Sequence, residues 1–109
     1  MVIQSIVQNL TVGKQQMHIA NVVVDNTEYK KIDDLLPVGL TVGNTYTINN
    51  LSNNGLYYIV SENEPTDKGC ILWGGDQLIY EKVTGTLWVC TTQDSLYRNG
   101  CEIEVSEVE

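Results

Sequence analysis

Across residues 45–105 short apolar runs alternate with turn-forming stretches: TYTINNL, SNNG, LYYIVS, ENEPTDKG, CILW, GGDQ, LIYEKV, TGTLWVCT and, after a loop, CEIEV. Short runs rich in Val, Ile, Tyr, Trp and Thr, bounded by Gly, Asn, Asp and Pro, predict strands. The alternation is cleanest near the C-terminus, where Cys101, Ile103 and Val105 fall on one face and Glu102, Glu104 and Ser106 on the other. Residues 2–8 (VIQSIVQ) and 16–24 (QMHIANVVV) are rich in β-branched residues and flank Gly13, so they predict two further strands able to form a hairpin. Between them and the main run, Tyr29, Ile32, Leu35 and Leu36 have the spacing of one or two helical turns, which Pro37 ends.

The turns suggest how the strands connect. Asn53-Asn54-Gly55 carries the strongest hairpin signal, because Asn and Gly tolerate the positive φ angles of tight turns, and it is expected to pair TYTINNL with LYYIV. Gly74-Gly75-Asp76 and Thr84-Gly85-Thr86 mark two more turns, so LIYEKV and TLWVCT are expected to form a second hairpin. The fold class is therefore all-β, a small antiparallel β-sandwich or barrel-like domain. A boundary near Pro37 divides it into an N-terminal arm or hairpin layer (1–36) and an antiparallel β-module (37–109). The tetrapeptide LTVG occurs at 10–13 and 40–43, but its flanks do not match and it is not a repeat.

Composition sharpens this picture. A chain of 109 residues holds one core, and a domain of this size buries roughly two-thirds of its unfolded surface. Exposed strand edges then favour association, so a homo-oligomer is expected. Six basic against 14 acidic residues give a net charge of -8, with Glu102, Glu104, Glu107 and Glu109 crowded at the tail. Direct binding to nucleic acid or to an anionic membrane needs the opposite sign, so neither is expected as a partner. Residues 1–14 lack a basic signal-peptide start and no run approaches a membrane span, which predicts a product made in the cytoplasm.

Candidate chemistry is sparse. Cys70, Cys90 and Cys101 show no CxxC and no paired His, and each sits in an apolar run, so buried reduced thiols are expected; a bridge would need two of them on adjacent strands. His18, the single histidine, lies in an apolar run and is expected to be structural or surface-exposed. Asp33-Asp34 and the Glu62, Glu64, Asp67 set lack the separation of a glycosidase pair and the ligand pattern of a calcium loop. No phosphate-binding glycine motif or nucleophile elbow is present. No catalytic residue, cofactor or metal ligand is assigned. The aromatics Tyr57, Tyr58, Trp73 and Trp88 are the candidate interface or binding residues, and a carbohydrate platform built from Trp73, Trp88 and neighbouring tyrosines is the alternative to their serving as core or interface.

The stretch NNLSNNGLYYIVSENEPTDKGCILWGGDQLIYEKVTGTLWVCTTQD, followed by EIEVSE, resembles small β-sandwich virion proteins of tailed bacteriophages. The likeness lies in an order of features: the Asn53 to Gly55 turn, a strand ending in Ser61, the Pro65-Thr66 loop, Gly69, the Gly74 to Asp76 turn, Leu87-Trp88-Val89 and the closing Val105-Ser106-Glu107. It covers about residues 45–107, and the three cysteines and acidic tail are not part of it. What it implies is a non-enzymatic protein of the virion, a head decoration, head fibre or connector-region component made in the host cytoplasm. Its partners would be the major capsid protein or neck and tail proteins, with a receptor- or carbohydrate-binding module of a tail appendage as the alternative.

Overall fold

The computed structural model describes residues 16–91 and 100–108. They form eight strands and one helical turn: β1 (Gln16–Val24), β2 (Lys30–Lys31), α1 (Ile32–Leu35), β3 (Thr45–Asn50), β4 (Leu56–Ser61), β5 (Cys70–Leu72), β6 (Gln77–Glu81), β7 (Thr86–Thr91) and β8 (Cys101–Val108). The strands make two four-stranded antiparallel sheets, β1-β8-β3-β6 (sheet A) and β2-β7-β4-β5 (sheet B). This is the expected all-β sandwich.

Period-two patterning sets the layers. On β8, Cys101, Ile103 and Val105 are fully buried, while Glu102 and Glu104 face away from the core. Their partners continue the same faces: Val24, Val22 and Ala20 oppose Cys101, Ile103 and Val105 from β1, and Ile48 opposes Val105 from β3. Register on β1 slips between His18 and Ala20, leaving Ile19 as the extra residue of a bulge. Without that slip, one end of the strand would present its polar residues to the core. Sheet B answers with Leu56, Leu72, Leu87 and Val89, and α1 adds Ile32, with Leu36 and Leu40 beyond it. Burying each such side chain contributes about 1.5–3 kcal/mol.

The helical turn expected around Tyr29 to Leu36 is present as α1, four residues long. Leu36 is already extended, as a residue before proline must be. The strand predicted at 16–24 coincides with β1, whereas its proposed hairpin partner at 2–8 lies outside the described residues. The segment before Pro37 supplies a strand to each sheet, β1 along β8 and β2 along β7.

Both expected hairpins are absent. β3 belongs to sheet A and β4 to sheet B, and likewise β6 and β7 are in different sheets. Among the described strands β4–β5 is the single pair of chain neighbours that share a sheet. The reason at 53–55 is physical: none of Asn53, Asn54 and Gly55 has the positive φ that a tight hairpin turn needs. The corner is instead organised by the Asn50 side chain, which is completely buried. Its amide donates to Asn54 O (2.7 Å) and Leu72 O (2.9 Å), and its oxygen accepts from Ser52 N (3.0 Å) and Ser52 Oγ (2.7 Å). At 84–86 the glycine signal does mark a chain reversal, but the reversal passes from sheet A to sheet B.

The thiols need one correction. Cys90 and Cys101 are buried and free, as expected, but Cys70 is exposed. It opens β5, a three-residue edge strand with little on its outer side to cover it.

Candidate functional site

The outer face of sheet B carries a cleft. Tyr57 on β4 pairs with Cys90 on β7, and alternation turns both away from the core while their neighbours Tyr58 and Val89 turn inward. Tyr57 and Cys90 form the floor of a cleft of about 440 Å³, with Thr91 beside them. One wall is the segment 27–29, and the other is the β4–β5 loop at 64–68.

Both walls are fastened to the sheet. The Asn26 side-chain amide donates to Val89 O at 2.9 Å, and Asn26 O accepts from Thr91 N at 2.8 Å and Thr91 Oγ1 at 3.1 Å. From the far side, the Gly69 amide donates to the Tyr29 hydroxyl at 2.7 Å, joining one wall to the other. That closure requires glycine, because a Cβ at position 69 would lie 2.0 Å from Tyr58 O. The Lys68 ammonium stands over the Tyr57 ring, 6.0 Å from its centroid.

Burial shifts two groups of the cleft. It raises the Tyr29 hydroxyl above its ordinary value, partly offset by the hydrogen bond from Gly69. It also pushes the Cys90 thiol up. A nucleophilic cysteine needs the opposite shift, so Cys90 contributes a protonated, weakly polar surface. The exposed Glu28, Glu64 and Asp67 add carboxylates to the rim. Among the described residues no set of three or more His, Cys, Asp or Glu side chains is grouped to hold a metal ion.

The four aromatic candidates do not converge. Tyr57 lines the cleft. Tyr58, on the opposite face of β4, packs against the core, and burial followed by the neighbouring Cys70 raises its hydroxyl pKa. Trp88 faces outward one row from Cys90 but is only 7% exposed; its indole donates to Ser61 O at 2.9 Å, and Lys31 covers its ring at 5.7 Å. Trp73 is 58% exposed on the 73–76 turn, where Asp76 N donates to Trp73 O and Gly75 takes φ +86°. The two tryptophans differ in exposure: one ring is buried, and the other is exposed on the 73–76 turn.

Sequence reasoning missed Tyr29, Lys68 and the outward turn of Cys90. The available signal was alternation in β7, which puts Cys90 on the face of Trp88 rather than with Leu87 and Val89.

The opposite outer surface has a different chemistry. His18 hydrogen-bonds Asn21 at 2.7 Å, Asn21 donates to Glu102, Asn49 donates to Glu104, Gln77 donates to Asn49, and Asn44 donates to Glu107. Glu102, Glu104 and Glu107 are therefore part of an amide–carboxylate lattice across sheet A.

Comparison of the chain with family models, curated proteins and solved structures returns no match.

Proposed function

We propose that this chain is a non-enzymatic structural protein of a tailed-phage virion, a head decoration or head-fibre subunit that works by associating through its sheet edges. The observation that carries this reading is the outer edge of β6. Among the described residues, no strand pairs with it on the side away from β3. Its central Ile79 is 66% exposed. An open edge with an exposed β-branched side chain is a ready template for another strand. Met17 and Val23 expose further apolar surface on β1, the opposite edge strand of sheet A. The ordered turns that resemble phage β-sandwich proteins support the same reading.

On this view copies of the chain join into a ring, a trimer being favoured, and the ring seats on the major capsid protein. Light scattering of the purified protein, together with co-sedimentation on heads and tails of the phage that encodes it, tests the proposal. The expected result is an oligomer that binds heads, with Ile79→Lys shifting the protein to monomer while leaving it folded. Binding to tails alone would move the location to the neck or tail. A protein monomeric at every concentration, and left in the supernatant by both particles, would refute the reading.

A further inference from the structure

Going beyond assembly, we propose that the cleft on sheet B is a binding site for a neutral saccharide unit. Its volume of about 440 Å³ is in the range of small-molecule sites, roughly 300–1,000 Å³. Its floor and one wall present the phenol rings of Tyr57 and Tyr29, which offer an apolar face beside a polar edge. A sugar ring has the complementary pattern, C–H groups on its faces and hydroxyls around its rim.

The polar groups fit a ligand that both gives and takes hydrogen bonds. Glu28, Glu64 and Asp67 accept only, Lys68 donates only, and Thr66 does either. Charge argues against the two simplest alternatives. An anion would meet the carboxylates, in a chain of net charge -8. A cation seeking the Tyr57 face would meet the Lys68 ammonium already standing over it. A neutral polyhydroxylated ring can pair with both signs, its hydroxyls meeting the carboxylates and the Lys68 ammonium alike.

The cleft is also built before any ligand arrives. Gly69 to Tyr29 ties the walls together, and Asn26 ties one wall to β7, so little ordering cost falls on binding. Trp73 and Trp88 take no part.

The test is an array of neutral mono- and disaccharides probed with the intact protein, followed by amide-resolved NMR titration of each hit, with tetramethylammonium chloride titrated in parallel. The expected result is millimolar or tighter binding of at least one sugar, with shifts confined to residues 27–29, 57, 64–69 and 90–91. Tyr57→Ala should weaken that binding about tenfold or more, a loss of about 1.4 kcal/mol. Because Tyr57 is half-buried, Asp67→Asn at an exposed position is the second variant; it should leave the spectrum folded and also weaken binding. No sugar bound, tetramethylammonium bound in place of sugar, or shifts centred on sheet A would each overturn the proposal. A protein that binds sugar but stays monomeric and ignores phage particles would refute the assembly reading alone.

Discussion

Asn50 is the residue on which the corner between the two sheets depends. It satisfies two backbone carbonyls, one backbone amide and one hydroxyl from a position with no solvent exposure. Cys101 adds to the same corner, its thiol lying 3.4 Å from Gly55 O and 3.5 Å from Asn54 O. Removing the amide strands buried polar groups, which cost about 1–3 kcal/mol each when nothing replaces their partner. Asn50→Ala is therefore expected to lose about 2–4 kcal/mol, read as a lower urea midpoint at unchanged slope. In the sequence Asn50 falls in the strand run TYTINNL, and the Asn53-Asn54-Gly55 signal just after it correctly marks a change of direction. What it lacks is the information that the amide points inward, because an asparagine's partners are set by chain segments far from it, here Leu72.

At the scale of elements, strand positions were legible and strand partners were not. Alternation on β8 reveals which side is apolar, and the same holds for β1 once the bulge at Ile19 is allowed for. Every inward face looks alike, however, so patterning cannot say whether the next strand lies in the same sheet or across the core. The β4–β5 loop shows the same limit. ENEPTDKG reads as a polar turn, yet in the structure it folds back to form one wall of the cleft, with Gly69 against the β4 backbone. Because the conflict there is with a main-chain oxygen rather than a flexible side chain, Gly69→Ala is expected to cost about 2 kcal/mol or more. Thermal or urea denaturation checks the cost, and loss of hydrogen-exchange protection at residue 69 would show that the tie to Tyr29 has opened. Cys70 illustrates the reverse error, since an apolar run predicts burial, but on the edge strand β5 only Leu72 reaches the core and Cys70, at the strand's start, is exposed.

For the whole molecule, burial leaves a signature in alkaline solution. Tyr29, Tyr58 and Tyr80 are held above the ordinary 10.0 of a phenol, and Cys90 and Cys101 above the ordinary 9.0 of a thiol, with burial the leading cause in each. As pH rises through the ordinary values, the unfolded chain releases protons that the folded chain retains, so unfolding gains free energy. The contribution is fully present below pH 9 and is lost progressively as pH climbs past 9 and then 10 toward the raised folded values. Urea midpoints measured under reducing conditions should fall across that window; a flat profile to pH 11 would contradict the burial of these groups. The sandwich itself was evident from strand length and turn spacing, whereas the cleft was not, because its walls come from segments some forty residues apart, Tyr29 and Gly69. The strand order of sheet A carries a further consequence. None of its three pairings joins chain neighbours, and its inner strand β8 is the last of the eight to be synthesised. Sheet A therefore has no local nucleus: β3 can meet β6 once both have emerged, but β1 has no partner until β8 follows, and the entropy of closing that longest loop is met in a late step.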